Sequence, residues 1–160
     1  MIVLIMGVAG AGKTTVGTLL AKELGWTFAD ADSYHPAENV KKMASGKPLT
    51  DDDRAPWLAA LRNVIQGWIS KKENAVLAAS VLKQSYREHL QVGPEVKLVY
   101  LRGPLQLIHK RMLHRSGHYM DPKLLQSQFD ILEEPSDAVV IDVAATPAHI
   151  VRHIRQRFAI

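Results

Sequence analysis

The stretch Gly7-Val8-Ala9-Gly10-Ala11-Gly12-Lys13-Thr14 fits the pattern G-x-x-x-x-G-K-[ST] and follows a short apolar run, Ile2 to Met6. A loop of this kind turns several backbone N–H groups inward on phosphate, brings a lysine to the terminal phosphates and offers a hydroxyl, here Thr14, to magnesium. It also dictates its neighbours, because it works only between a strand and a helix. Ile2 to Met6 supplies the strand, and Val16, Leu19, Leu20 and Leu24 recur at helical spacing after the loop. The spacing predicts a nucleoside triphosphate cradle that runs from Gly7 through Thr14 to the adjoining Thr15.

Four further apolar runs follow, at Trp26 to Ala29, Ala75 to Ala79, Val96 to Leu101 and Ala138 to Val143, separated by segments of helical character. Strands alternating with helices imply an α/β fold with a mainly parallel sheet covered on both faces. The 160 residues carry no linker or repeat and are expected to form one domain. The chain has no cysteine and no apolar run of the roughly 18 residues that span a membrane, and a secretory leader is not expected. A cytoplasmic protein without membrane contact is expected. The net charge of +4 suits anionic small molecules, and the basic residues are spread along the chain. With no compact basic patch interleaved with aromatics, nucleic acid is not an expected partner.

The longest helix is expected over Asp53 to Lys72, where Trp57, Leu61, Val64 and Trp68 share one face and read as core. Thr146-Pro147 opens the final helix and Pro104 opens one that ends near His114.

A second layer of polar residues points to chemistry. Asp30 and Asp32 end the second strand, and residues two apart in a strand point the same way, toward the sheet edge where ligands bind in open α/β folds. One carboxylate can hold magnesium through water while the other meets a substrate hydroxyl; the plainer alternative is a pair of solvated turn residues. In Asp51-Asp52-Asp53-Arg54, capping explains one or two acids but not Arg54, whose charge is unfavourable at a helix N-terminus. Lys83 and Arg87, four apart, either grip an anion from one helical face or form a solvated basic face. Arg111 and Arg115, also four apart and followed by Gly117, suit a mobile lid whose arginines meet the charge on a transferred phosphoryl group. His109, His114, His118, His149 and His153 show no metal-ligand spacing, so no zinc site is read.

Taken together these segments resemble the gluconokinases, small P-loop kinases of the shikimate-kinase-like, nucleoside-monophosphate-kinase-like superfamily. The resemblance runs through Gly7 to Thr14, Asp30-Ala31-Asp32 with His35-Pro36, the whole block from Lys42 to Leu58, and Leu82 to Arg87. Gly117 to Met120 and Gln128 to Pro135 extend it over most of the chain. The loop is shared by very many nucleotide-binding families, whereas the Lys42 to Leu58 block is specific. The resemblance implies a three-layer fold with five parallel strands in order 2-3-1-4-5, a single domain over 1–160 with a helical lid at about 111–130, and a homodimer in many members. It implies transfer from magnesium ATP to the 6-hydroxyl of D-gluconate, whose product feeds the pentose phosphate or Entner-Doudoroff route.

Carried over residue by residue, Gly10, Gly12, Lys13 and Thr14 would hold phosphates and Mg2+, with Asp30 toward the metal through water. Asp32 would orient the attacking hydroxyl. His35, Arg54, Lys83 and Arg87 would line the gluconate pocket, Arg111 and Arg115 would close over ATP, and Gln128 would reach substrate from the lid. A shikimate kinase is the rival reading, since it also carries a D-x-D after the second strand. It would not be expected to carry the Lys42 to Leu58 block or His35-Pro36.

Overall fold

The computed structural model describes residues 1–114 and 122–160. Five parallel strands form one sheet: β1 (Ile2–Met6), β2 (Thr27–Asp30), β3 (Ala75–Ala79), β4 (Val96–Arg102) and β5 (Val139–Asp142), in the order β2-β3-β1-β4-β5. Every pairing is parallel, with Ile2 opposite both Ala75 and Val96. All carboxyl ends of the strands therefore lie along one edge, and the connecting helices lie on the faces.

Helix α1 (Lys13–Leu24) and α7 (Pro147–Phe158) cover one face; α3 (Asp51–Ser70) and α4 (Gln84–Leu90) cover the other. Alternation along β1 assigns its side chains to the two cores. Val3 and Ile5 pack with Val16, Leu20, Ile150 and Ile154, while Ile2, Leu4 and Met6 pack with Trp57, Leu61, Ile65 and Leu90. A strand buried on both faces must be apolar at every position, which is why the runs are continuous. α1 sits close to the sheet at Gly17, where a Cβ would lie 2.7 Å from the Phe28 ring.

The expected elements are present with small shifts. The long helix starts two residues earlier than its periodicity suggests, because Thr50 caps it: the Thr50 hydroxyl accepts from the Asp53 N–H at 3.1 Å and the Asp53 carboxylate accepts from the Thr50 N–H at 2.8 Å. On its face Leu58 and Ile65 are buried beside Trp57 and Leu61, and Val64 and Trp68 are only half-buried. α2 (Ala37–Ala44) precedes it. α5 (Leu105–Leu113) and α6 (Pro122–Ile131) flank 115–121, so Arg115 and Gly117 to Met120 lie outside the described residues. The final helix is capped by the Thr146 hydroxyl with Pro147 in its first turn.

Arg87 is part of this framework. It is 1% exposed, and its guanidinium donates to the carbonyls of Val81 at 3.0 Å, Leu82 at 2.9 Å and Glu133 at 2.9 Å, and to Gln84 Oε1 at 3.0 Å. It ties the segment after β3 to the segment after α6. Arg87→Met would strand buried carbonyls and is expected to cost about 3 kcal/mol, hydrogen bonds to charged groups being worth roughly 1.5–3 kcal/mol each. In a domain of this size that is a fall in Tm of roughly 6–12 °C by calorimetry, with activity retained below the transition.

Candidate active site

The loop after β1 reaches its shape through glycines. Gly10 (φ +79°) and Gly12 (φ +98°) occupy the left-handed region, and a Cβ on Gly10 would lie 2.7 Å from the Met112 side chain on α5. Val8 is buried, and its carbonyl accepts from Lys13 Nζ at 2.9 Å. Gly7 and Val8 form the base of the loop and line neither adjoining cavity. The Ala9 N–H donates to Gln128 Oε1 at 2.7 Å, which brings α6 onto the loop.

Two cavities meet at this loop. One, of about 480 Å³, is lined by Ala9, Gly10, Gly12, Lys13, Thr14 and Thr15, by Asp30, Asp32, His35 and Arg54, and by Met43, Leu49, Trp57, Ser80, Leu82, Met112 and Gln128. The other, of about 620 Å³, shares Gly10, Gly12 and Thr15 and continues over Ala11, Leu107, Lys110, Arg111 and the segment from Val143 to Pro147. Arg111 donates to the Val143 carbonyl across this second cavity.

Asp30 and Asp32 do meet, but not by strand alternation. β2 ends at Asp30, and Ala31–Tyr34 form a 3-10 turn that Asp30 caps, its Oδ1 accepting from the Asp32 N–H at 2.9 Å. Asp30 Oδ2 accepts from the Thr14 hydroxyl at 2.9 Å. This hydroxyl-carboxylate pair beside a phosphate loop fits a hard divalent cation that brings most of its own oxygen ligands. Among the described residues no group of three or more His, Cys, Asp or Glu could hold a metal alone. Asp32 is open to the cavity on one side, yet the protein around it desolvates the carboxylate and raises its pKa; Lys13 opposes this and Asp30 adds to it. Burial lowers the pKa of Lys13, with Asp32 and Asp30 pulling the other way.

The opposite wall comes from α2 and the start of α3. The His35 imidazole stacks on Trp57 with centroids 4.4 Å apart and planes 12° apart, and Trp57 Nε1 donates to the Ala31 carbonyl at 2.7 Å. Trp57 is thus both core and cavity wall. Arg54 Nη1 donates to the Leu49 carbonyl at 2.7 Å and to the Tyr86 hydroxyl at 3.2 Å, with the guanidinium 5.3 Å from the Tyr86 ring centre. The Tyr86 hydroxyl donates to Asp51 Oδ1 at 2.5 Å, and Lys83 Nζ donates to the same carboxylate at 2.9 Å. Asp53 bonds Lys42 at 2.6 Å, and that contact, followed by the Thr50 N–H, holds its carboxyl down at about 2. The acids before Arg54 therefore have separate tasks, one in the Tyr86 network and one in the cap.

Two expected pocket residues lie elsewhere. Lys83 is the extended cap residue before α4, so it shares no helical face with Arg87, and its ammonium rests on Asp51. Arg87 points at backbone carbonyls. Neither lines the cavity. Tyr86 and Asn39, which sequence reasoning passed over, act through contacts distant in sequence that no local pattern announces.

Residues 9–159 match the family model described as shikimate kinase. A mouse protein named "Probable gluconokinase" is 46% identical over 153 residues, covering 84% of this chain and 83% of its own. The thermosensitive gluconokinase of Escherichia coli K12 is 40% identical over 158 residues, covering 96% and 84%. The chain belongs to the gluconokinase family. The crystal structure of a gluconokinase from Sinorhizobium meliloti 1021 superposes with a TM-score of 0.85 at 42% identity, covering 94% of this chain and 86% of that one. Shikimate kinase from Aquifex aeolicus aligns at 15% identity, a likeness of fold alone. Gluconokinase membership thus accounts for the Lys42 to Leu58 block, which in three dimensions builds the wall bearing Arg54.

Burial, and after it the Arg54 charge, lowers the pKa of His35 to about 4 from an ordinary 6.5. The unfolded chain then binds the extra proton first. The stability contributed by a neutral His35 is complete above pH 6.5 and is lost as pH falls toward 4. Urea unfolding across that window is expected to show a smaller fall for His35→Gln than for the parent chain; parallel curves would contradict the lowered pKa.

Proposed function

We propose that this chain transfers the γ-phosphoryl group of ATP to the 6-hydroxyl of D-gluconate. One observation carries the reading: the phosphate loop forms the shared wall of two cavities, so a triphosphate laid along it runs from the second cavity toward Asp32, His35 and Arg54 in the first. The names of the family relatives supply the acceptor.

In this reading the nucleoside occupies the second cavity beside Arg111. Gly10, Gly12, Lys13, Thr14 and Thr15 hold the phosphates. Thr14 and, through water, Asp30 would hold Mg2+, which when bound offsets phosphate charge. The acceptor's 6-oxygen bonds to the γ-phosphorus, the bond from that phosphorus to the β,γ-bridging oxygen breaks, and ADP leaves. The hydroxyl proton passes to Asp32. Arg54 meets the acceptor carboxylate, and Lys83 supports it at one remove through Asp51 and Tyr86. Gln128, now on the Ala9 N–H, would exchange that partner for substrate as phosphate arrives. ATP as donor favours a cytoplasmic enzyme, and the homodimer implied by the resemblance is open to light scattering.

The test is an ADP-release assay over a panel of sugar acids with shikimate alongside, followed by identification of the product. Turnover of gluconate to 6-phosphogluconate is expected; preference for shikimate would overturn the reading. Lys13→Ala should cost on the order of 100-fold or more in kcat, as loss of transition-state charge stabilisation does. Arg54→Ala should raise KM for gluconate and leave KM for ATP nearly unchanged. A loss confined to ATP would move Arg54 out of the acceptor pocket.

A further inference from the structure

Asn39 is one of two buried polar or charged side chains among the described residues, at 4% exposure, and it lies one helical turn from His35 on α2. Its Nδ2 is 2.8 Å from the Asp53 carbonyl oxygen and 3.2 Å from His35 Nδ1. A carbonyl only accepts, so the Asp53 oxygen fixes which end of the amide is nitrogen. The same nitrogen then turns its second hydrogen toward His35. A ring nitrogen facing an amide N–H must present a lone pair, so Nδ1 is unprotonated and the proton of the neutral ring sits on Nε2. The stacked Trp57 fixes the plane of that ring, and Nε2 is the ring nitrogen left for the cavity.

We propose that Asn39 is a positioning residue that holds His35 as the neutral Nε2–H tautomer, so that His35 donates a hydrogen bond to an oxygen of the polyhydroxy acid. The proposal rests on the acceptor-pocket reading above. It assigns His35 the role of donor and excludes it as the base for the reacting hydroxyl, because a second proton would make an imidazolium. The charged groups around the ring fit this. Arg54 on α3 disfavours an imidazolium, Asp53 on the same helix is engaged by Lys42 of α2, and Lys13 and Asp32 line the cavity beyond. The lowered basicity of His35 agrees with a neutral ring.

The first measurement is the pair of imidazole 15N shifts of His35 in the full chain at pH 7, assigned by their loss in His35→Gln. The expected pattern is an unprotonated Nδ1 and a protonated Nε2; a protonated Nδ1 overturns the proposal. Asn39→Asp puts an acceptor-only carboxylate against Nδ1 and is expected to draw a proton onto that nitrogen and to raise the pKa of His35. Its KM for gluconate should rise about 10-fold, the scale of one lost hydrogen bond, with KM for ATP within a few-fold. Asn39→Leu should raise the gluconate KM in the parent chain but change it less than about 2-fold in the His35→Phe background, where a ring can still stack on Trp57 but has no nitrogen to hold or donate. Additive effects in that cycle would mean that Asn39 acts on the fold and not through His35, and would overturn the proposal. Failure of the reading beneath it looks different: His35→Phe, which has no donor, would leave the gluconate KM unchanged while the 15N pattern of the parent chain stayed as expected, and that result removes the donor role.

Discussion

A parallel sheet needs cover on both faces and collects every strand's carboxyl end on one edge, and the rest of this molecule follows from that constraint. β1 lies at the centre, buried on both sides, and the phosphate loop is the way its chain turns from the sheet into α1. The left-handed glycines at 10 and 12 make the turn possible. Asp30 ends β2 at the same edge and joins the loop through Thr14, so the end of an outer strand, two places from β1, is fastened to the phosphate site by a single hydroxyl. Neither the fold nor the site could move without the other.

The start of α3 shows how a charge that is locally wrong becomes usable. A guanidinium in the first turn of a helix opposes the macrodipole, yet Arg54 is held there by the Leu49 carbonyl, the Tyr86 hydroxyl and the Tyr86 ring. Asp51 and Lys83 fix Tyr86 in turn. A contact spread over three elements keeps one cation at the cavity wall while Asp53 completes the cap.

Much of this was legible in the residues. The loop, the five apolar runs and the proline-marked helix starts carry local signals, because glycine conformation, two-faced burial and capping act over a few residues. Arg54 stood out by breaking a local rule. The aspartate pair was placed correctly for a reason the structure replaces, since a capped 3-10 turn and not strand alternation brings Asp32 round to Asp30. Lys83 and Arg87 part because Lys83 is the extended cap residue of α4, so its side chain leaves toward Asp51 while that of Arg87 turns to buried backbone carbonyls. Asn39 was illegible for a deeper reason: its role depends on a backbone carbonyl fourteen residues away.

The acceptor cavity can then be read as a charge arrangement. Lys13 and Arg54 bring positive charge, Asp30 and Asp32 negative, and a neutral His35 adds none. In the proposed reaction an acceptor bearing one carboxylate would meet Arg54, leaving Lys13 to the transferred phosphoryl group. Asp30 has one oxygen on Thr14 and the other on the Asp32 N–H, so neither is turned toward a reacting hydroxyl. His35 already carries its proton where it faces the cavity. Among the described acids and bases lining that space, the proposed reaction leaves Asp32 to take the hydroxyl proton, and the desolvation that raises its affinity for protons suits that role.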